Sequence, residues 1–560
     1  MLLCKGLSAF QVRLSHLLLT VCIAGVLFQS TRLYRQRESD VTHDWEDTDI
    51  VGDSQHEVEY LERLADRYGL TNLTKWQSWR VYLKEESLDT EPVTDVYADF
   101  QPYPDMAKII DVKNPNASEL GASKRMDLPG GSSWTQPKMP GSGFLFGVST
   151  SYERIADRDW AILRAWKRWL TDGHGSSNGA GMVLMLDKAS ANQIEVMETM
   201  LLEAGIDAYV TSTNEFTSKT KRYYDLVREL KVYGATLAAI GQSKDWSGVI
   251  EDTIFFPSLT YLRDRLSSYN ASEQLYIGIP SERSDWHQDG DSMATYGGGA
   301  VMLSRRLVSA IPKLPCLELE MPMSLHRAQK WDVVLGECVK KWEDINVHVM
   351  PALYSAHDSD YRPELESHET GVRPLLLRDY QERHQLDVGM AHLVTNVCGE
   401  ACFMHQYLFR DDWAVINGVS ISHHPNGLNR NRRRPHHRHH QNQHDHDNHH
   451  RHGHNHKHRN PQENDQNDPD TSDAAAKPRV PGQLTVDEDK VERMPLEWTG
   501  RKEVWKLVDS VEMVGGSVRQ AYLKRGVQSQ QDKDQEGVPK PAEEELDSII
   551  VLIWEKETVK

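Results

Sequence analysis

The chain lacks the basic surface of a nucleic-acid-binding protein. Its 560 residues include 83 aspartates and glutamates against 64 lysines and arginines, which gives a formal charge of −19. Binding to nucleic acid relies on clustered positive charge. The composition therefore argues against nucleic acid as a partner, although residues 430–460 are locally basic and rich in histidine.

A long apolar run is also missing. The best candidate, Leu14–Phe28, has fifteen residues, short of the about 17–25 that a transmembrane helix usually needs. A cleaved signal peptide is the competing interpretation, but no clear cleavage motif follows the run. We expect residues 1–13 to form a cytoplasmic tail and residues 14–30 a signal-anchor transmembrane helix, with the body of the protein in the lumen. A short span fits the thinner membranes of the early secretory pathway.

Cysteine is scarce, with six in the whole chain. Two of them, Cys4 and Cys22, lie near or within the apolar run. The body therefore has four, namely Cys316, Cys338, Cys398 and Cys402. An even number is typical of two disulfides in an oxidising compartment, and we expect them to pair in chain order. Half of a metal site is the alternative for the Cys-Gly-Glu-Ala-Cys segment. Asn-x-Ser/Thr tripeptides, which accept glycans, also favour a lumenal body and begin at Asn72, Asn116 and Asn270.

Between residues 141 and 425 the chain alternates apolar strands with amphipathic helices. The predicted strands are Phe144–Thr150, Met182–Leu186, Asp207–Val210 and Trp246–Thr253. This alternation is typical of an α/β fold, in which helices cover a mostly parallel sheet. Right-handed crossovers then bring the strand ends to one edge of the sheet. The preceding residues 31–140, which are polar and loop-rich, are predicted to form a stem and entry region.

After residue 425 the globular pattern stops. Twelve of the 26 histidines lie between His436 and His458, interleaved with arginine, asparagine and aspartate. Such a tract can bind metal ions but cannot bury apolar surface, so residues 426–490 are predicted to be a disordered insertion. Apolar segments return near Trp498. We therefore expect residues 491–560 to form a C-terminal segment that packs on the α/β domain.

Two adjacent acids, Glu251 and Asp252, lie at the end of the predicted strand Trp246–Thr253. Acids at the carboxyl end of a strand lie where open α/β sheets bind ligands. Their oxygens suit Mg²⁺ or Mn²⁺ that carries a phosphate. Because a solvated acidic turn has the same pattern, the acids become informative only together with motifs elsewhere in the chain.

Three motifs downstream accompany the acids. A Tyr-Gly-Gly-Gly-Ala block contains Gly297, Gly298 and Gly299, where the missing side chains permit close approach of the backbone to a ligand. Asp332 follows within Trp-Asp-Val-Val-Leu-Gly-Glu-Cys, and His357 follows within Tyr-Ser-Ala-His-Asp.

The order and spacing of these motifs resemble glycosyltransferase family 31, which contains the Fringe and β1,3-galactosyltransferase enzymes, and most of all its fungal type II membrane members. The resemblance covers about residues 143–425 and implies a GT-A fold, in which a Rossmann-like nucleotide-sugar half is fused to an acceptor half. Residues 141–425 would then be the catalytic domain. The resemblance further implies an inverting, Mn²⁺-dependent (or Mg²⁺-dependent) enzyme of the Golgi membrane. Such an enzyme transfers a sugar from a UDP-sugar to a glycan or glycoprotein acceptor, in a β1,3 linkage.

Carried over by position, the family pattern assigns roles to single residues. Asp252 matches the metal ligand, with Glu251 beside it in the donor site. His357 lies near the place of a histidine ligand, with Asp358 and His368 as rivals and an ordinary surface or loop histidine as the alternative. Asp332 matches the catalytic base, and the alternative is that it caps the following helix.

Further candidates come from the strand ends. Asp187, after the second strand, is a candidate for the uridine or ribose pocket. Arg154, after the first strand, is a candidate for contact with the nucleotide, with surface solvation as the alternative. The turn that contains Gly297, Gly298 and Gly299 would shape the sugar pocket.

The chain departs from the family pattern at Ile250, Trp331 and Arg378. These departures motivate a second hypothesis, a catalytically silent relative that acts as a lumenal chaperone or binding partner. A third hypothesis is metal buffering by the histidine-rich tract. The donor sugar, the acceptor and the oligomeric state, whether monomer, homo-oligomer or hetero-oligomer, stay open.

Overall fold

The computed structural model describes residues 49–85, 93–100, 107–120, 123–130, 139–173, 175–213, 217–279, 287–289, 292–294, 297–318, 330–349, 374–378, 386–429, 497–526 and 546–555. The chain divides into two compact units, residues 1–74 with 108–122 and residues 75–107 with 123–560. The predicted membrane helix at residues 14–30 lies outside the described residues, and so does the predicted insertion at residues 426–490 from residue 430 onward. Its first four residues are described and include a short strand at Leu428–Asn429. Within the described ranges, no helix is long and apolar enough to cross a membrane.

Ten α-helices and twenty-three strands are numbered here in chain order, over the described ranges alone. The helices are α1 (Asp49–Tyr68), α2 (Ala117–Leu120), α3 (Tyr152–Leu170), α4 (Ala191–Glu203), α5 (Lys219–Ala239), α6 (Leu259–Leu266), α7 (Arg305–Ala310), α8 (Trp331–Glu343), α9 (Val388–Ala391) and α10 (Thr395–Cys398). The strands are β1 (Leu73–Glu85), β2 (Val93–Val96), β3 (Lys108–Asp111), β4 (Lys124–Gly130), β5 (Phe144–Thr150), β6 (Gly181–Asp187), β7 (Asp207–Thr213), β8 (Trp246–Ile250), β9 (Ile254–Phe255), β10 (Tyr276–Ile279), β11 (His287–Asp289), β12 (Ser292–Ala294), β13 (Gly297–Ser304), β14 (His348–Val349), β15 (Leu377–Arg378), β16 (Gln406–Phe409), β17 (Trp413–Ile416), β18 (Ser420–His423), β19 (Leu428–Asn429), β20 (Glu497–Trp498), β21 (Glu503–Glu512), β22 (Val518–Lys524) and β23 (Asp547–Trp554).

The second unit contains a seven-stranded sheet with the order β14-β10-β13-β8-β5-β6-β7. Strands β8, β5, β6 and β7 run parallel and are connected through α3, α4 and α5. The predicted α/β alternation is therefore confirmed. Strand β13 differs, because it runs antiparallel to both β8 and β10. The described part of the connection from β10 to β13 is the β11–β12 hairpin, whereas a parallel neighbour usually needs a helical crossover.

Helices cover both faces of this sheet. Phe146 and Leu184 share a buried cluster with Trp166 of α3. Leu145, one position away in β5, instead belongs to the cluster that contains Leu226 of α5. Successive side chains of a strand point to opposite faces, so a strand covered on both sides is apolar at consecutive positions. This explains why all seven residues of β5 are buried.

A second sheet has the order β2-β16-β17-β18-β21-β22-β23-β1, with β4 parallel to β1. Its strands come from distant parts of the chain. Trp79, in the predicted stem and entry region, and Trp554, in the C-terminal segment, share one buried cluster with Phe146 of the first sheet. Part of residues 31–140 is thus built into the second unit, and so is the described part of the C-terminal segment.

Both predicted disulfides are present. Cys316 pairs with Cys338, and Cys398 pairs with Cys402. The Cys-Gly-Glu-Ala-Cys segment therefore closes a bond within itself and is not half of a metal site. The first disulfide joins a 3-10 turn at Cys316–Glu318 to α8, whose first turn contains Asp332.

Candidate functional site

The strand order of the first sheet reverses at β5. Strands β6 and β7 lie on one side of β5 and β8 lies on the other, all parallel to it. Open α/β sheets bind ligands outside the carboxyl ends of their strands at such a switch point. Because Val148 pairs with Ile250, β5 and β8 end side by side, and Glu251 and Asp252 follow directly.

Asp252 is held by residues that follow or end β5. The hydroxyl of Thr150 donates to Asp252 Oδ2, and Arg154 Nε donates to the same oxygen over 2.6 Å. Arg154 lies in the first turn of α3, whose N-cap is Ser151. Asp252 is 7% exposed. The carboxylate therefore has one charged and one neutral donor at the switch point.

Glu251 has basic partners of its own. Lys219 Nζ lies 2.8 Å from Glu251 Oε1, and the indole of Trp331 donates to the same oxygen over 3.2 Å. Burial acts to raise the pKa of Glu251. The charge and hydrogen bond of Lys219, together with the charge of Arg378, outweigh burial and lower the pKa below its usual value.

Gly299 connects the acid pair to Asp332. Its carbonyl accepts from the backbone N–H of Glu251 over 3.0 Å, and its own N–H donates to Asp332 Oδ2 over 3.1 Å. Gly299 has a φ of +82°, and a Cβ there would lie 2.9 Å from Glu251 Oε2. Both the positive φ and the short distance to Glu251 require glycine at this position. Gly297 and Gly298 precede it within β13.

Asp332 is 4% exposed and lies in the first turn of α8. The N-cap of that helix is Lys330, so Asp332 is not the capping residue. Burial raises the pKa of Asp332, the backbone N–H of Gly299 opposes this rise, and the nearby negative charge of Glu251 adds to it. A raised pKa makes the ionised carboxylate a stronger base, which favours proton transfer to it from a hydroxyl.

Tyr223 and Trp331 form a buried aromatic pair beside the acids. This pair was not predicted from the sequence. Their rings stack with centroids 4.2 Å apart and planes at 8°. The Tyr223 hydroxyl lies 3.4 Å from the carbonyl oxygens of Ser149 and Ile250, the ends of the two central strands. The sequence signal for this pair is Trp331, which stands where the resembled family has an acidic residue. The structure shows that this tryptophan positions Glu251.

Asp187 lies at the end of β6, one strand further from the acids. Arg222 Nη1 pairs with Asp187 Oδ2 over 3.0 Å, and Arg222 Nε donates to Ser149 Oγ over 3.2 Å. The arginine thus links Asp187 to the end of β5. Asp187 belongs to the same edge of the sheet, but its side-chain contacts among the described residues are with Arg222 and Thr213 and not with Glu251, Asp252 or Asp332.

The residues described here do not form a preformed metal centre. Within these ranges, no group of three or more histidine, cysteine, aspartate or glutamate side chains converges as metal ligands. Asp252 and Glu251 are each ion-paired to a basic side chain. This donor set does not fit the open carboxylates that Mn²⁺ or Mg²⁺ needs. The predicted ligand His357 lies outside the described residues.

No protein-family model matches the chain, and no curated protein matches it. Solved structures with some similarity include the glycosyltransferase GlyE of Streptococcus pneumoniae TIGR4, with 12% identity, a TM-score of 0.27, and coverage of 43% of this chain and 55% of GlyE. The chain thus spans about half the length of GlyE. Mouse xyloside xylosyltransferase 1 has 9% identity, a TM-score of 0.24, and coverage of 42% of this chain and 96% of that enzyme.

A putative glucose-1-phosphate thymidylyltransferase from Bacillus anthracis has 8% identity and a TM-score of 0.24, with coverage of 37% of this chain and 87% of the other. Similarity at this level leaves the function to be argued from the site. Membership of glycosyltransferase family 31 stays a prediction.

Proposed function

We propose that this protein is an inverting glycosyltransferase that moves a sugar from a UDP-sugar to a hydroxyl of a glycan or glycoprotein acceptor. The main support is one observation. Glu251, Gly299 and Asp332, which lie far apart in sequence, are linked by hydrogen bonds at the edge of the sheet where strand order reverses. A ligand crevice is expected at that edge. A carboxylate suited to take a proton lies within it.

In the proposed step the acceptor hydroxyl attacks the anomeric carbon from the side opposite to UDP. A bond forms between the acceptor oxygen and that carbon. The bond from the carbon to the diphosphate oxygen breaks, and its electron pair leaves with UDP. The hydroxyl proton goes to the Asp332 carboxylate, which acts as the general base. Inversion follows because attack and departure are on opposite faces of the sugar.

The surrounding residues would bind and orient the donor. We propose that the edge between Asp187 and Arg222 holds the uridine or ribose, and that the β13 turn at Gly299 faces the sugar. The β1,3 linkage, the Golgi membrane and the lumenal orientation are carried from the family resemblance and belong to the same proposal.

A second function, that of a catalytically silent chaperone or binding partner, is favoured by a specific observation. Asp332 is 4% exposed, and Arg154 and Lys219 already neutralise the two acids. A silent relative can keep such a closed arrangement for stability alone. The two functions differ in one measurable way, because the silent relative turns over no donor.

The test is release of UDP by the purified full chain across a panel of UDP-sugars with a set of glycan acceptors. Wild type is compared with Asp332→Asn and with Asp547→Asn. Asp547 is a matched control, since it is 3% exposed and also accepts a glycine N–H, that of Gly526, over 2.9 Å. It lies in β23 of the second sheet.

We expect one donor to be turned over, with a loss of about 10²–10⁴-fold in Asp332→Asn and activity near wild type in Asp547→Asn. Asparagine at position 332 keeps an oxygen for the N–H of Gly299, so the fold should be retained. Equal activity in wild type and Asp332→Asn would remove the proposed base. UDP binding without turnover of any donor would favour the silent relative.

A further inference from the structure

A set of basic side chains surrounds the acid pair at the proposed donor site. Arg154 Nε lies 2.6 Å from Asp252, and Lys219 Nζ lies 2.8 Å from Glu251. The two basic side chains come from the first turns of α3 and α5, the helices that follow β5 and β7. They therefore reach the acids from two sides of the switch point.

A third cation arrives from the other end of the site. Arg378 lies in β15, which pairs antiparallel with β9, and Arg378 pairs with Ile254 just after the acids. The charge of Arg378 acts on Glu251 and helps to lower its pKa. The sequence shows arginine where relatives of the resembled family carry histidine. The structure shows that this position lies beside the acid pair.

Three positive side chains therefore surround two carboxylates. A divalent ion needs carboxylate oxygens that are open to it. At this site Arg154 and Lys219 already occupy one oxygen of each carboxylate, and the ion would add two positive charges beside them and Arg378. Both effects oppose metal binding.

The same cations are suited to a diphosphate. The side chains of Arg154 and Lys219 are 51% and 56% exposed, so each can meet a ligand while it holds its carboxylate. Arginine has five N–H donors and lysine three, and both bind phosphate oxygens through charged hydrogen bonds. Arg222 differs, because its side chain is 13% exposed and is engaged with Asp187.

We propose that Arg154 and Lys219 bind the diphosphate of the donor and that the charge of Arg378 adds to theirs. Together they stabilise the negative charge of the leaving UDP, so that the site works without a divalent metal ion. The inference rests on the proposed function. As the bond to the sugar breaks, charge develops on the diphosphate oxygens. Positive side chains aimed at that charge lower the barrier as a metal ion otherwise does. Glu251 and Asp252 then position the cations and do not ligate a metal.

The first test is binding of UDP to the full chain, measured by calorimetry in EDTA and in Mn²⁺. Lys219→Met and Arg154→Met are compared with Lys221→Met and Arg228→Met. The control lysine lies two residues along α5, and the control arginine is also 51% exposed. Both controls pair with Asp225 instead of the acid pair.

We expect UDP to bind in EDTA with an affinity that Mn²⁺ changes less than about twofold. Lys219→Met and Arg154→Met should each weaken binding about tenfold, the effect of one charged hydrogen bond, and the controls should not. Binding that requires Mn²⁺ would overturn the inference and leave the proposed function standing. Metal-independent binding with equal affinity in all four variants would also overturn it. Absence of UDP binding in both buffers would overturn the proposed function itself.

A second variant separates the two mechanisms by the sign of its effect. Glu251→Gln keeps an oxygen for Lys219 and Trp331 but removes a negative charge. If cations bind the diphosphate, UDP affinity in EDTA should rise, because Lys219 and Arg378 lose their opposing charge. If Glu251 helps to bind a metal, affinity in Mn²⁺ should fall instead, and that fall would contradict the inference.

Discussion

Asp332 is the residue on which the proposed chemistry depends, and its pKa is raised by burial and by the charge of Glu251. A general base must be ionised, so activity should fall as pH falls through this raised pKa. We expect the acidic limb of the kcat/KM profile to lie above the ordinary aspartate value, about 3.9. In Glu251→Gln the limb should move to lower pH, because one cause of the raised pKa is gone. An unchanged limb would mean that a different group titrates.

The same shift predicts a stability effect with the opposite sign to that of most carboxylates. The folded state binds the proton of Asp332 more tightly than the unfolded state, so this residue favours the fold more as pH falls through its folded pKa. Glu251 has a lowered pKa, and its contribution is lost as pH falls. Urea denaturation of Asp332→Asn should therefore show no loss of stability at pH 7.

Substitution of Gly299 should change both the stability of the fold and the affinity for UDP. In Gly299→Ala the positive φ costs about 1–2 kcal/mol, and the new Cβ also displaces the Glu251 carboxylate. Gly241→Ala is a matched control, because Gly241 has a φ of +84° and nothing within 4 Å of the added Cβ. Both variants should lose similar stability in urea. UDP affinity should fall about tenfold, or about 1.4 kcal/mol, in Gly299→Ala alone; an equal loss in both would remove the special role of this turn.

At the scale of elements, the α8 helix that presents Asp332 is fixed by the Cys316–Cys338 disulfide. The bond closes a loop with a sequence separation of 22, whereas Cys398–Cys402 has a separation of 4. Loop-closure entropy predicts a loss of about 3 kcal/mol for Cys316→Ser with Cys338→Ser, and of about 2 kcal/mol for the other pair. Urea denaturation of the two double variants checks this order. A larger loss for the short loop would show that contacts around Cys398 outweigh chain entropy.

The local sequence predicts individual helices and strands but not all of the pairings between strands. The strands and helices from Phe144 to Ile250 follow local apolar patterns and were predicted. The antiparallel direction of β13 and the pairing of β9 with β15 depend on contacts between distant segments, which no local pattern encodes. For this reason Arg378 was recognised as a departure from the family pattern but not as a neighbour of Glu251.

At the scale of the whole molecule, the two residues that flank the histidine-rich segment 430–496 lie next to each other. Asn429 and Glu497 are partners in the antiparallel pair β19–β20. A hairpin loop of two to five residues can join such partners. We therefore expect a variant in which Gly-Asn-Gly-Ser replaces residues 430–496 to unfold at the same temperature as wild type. Its affinity for UDP should stay within about twofold of the wild-type value. Loss of folding or of UDP binding would assign the tract a role in the second unit.

Pairing between strands from distant parts of the chain is the feature that is hardest to predict from the sequence. The second sheet joins Trp79 to Trp554, almost the full length of the chain. Polar composition predicts a stem and entry region for residues 31–140, because hydrophobic patterns do not reveal which distant strand a segment pairs with. The candidate site is more accessible to prediction, because Glu251, Asp252, Gly299 and Asp332 each lie in a short local motif of the sequence.

We propose that UDP binds where the strand order of the first sheet reverses, and hydrogen–deuterium exchange with and without UDP can locate this binding. We predict slower exchange in peptides that contain Arg154, Lys219, Glu251 and Gly299, and unchanged exchange in β22 and β23 of the second sheet. Protection confined to the second sheet, or no protection at a saturating concentration of UDP, would show that UDP does not bind at this edge.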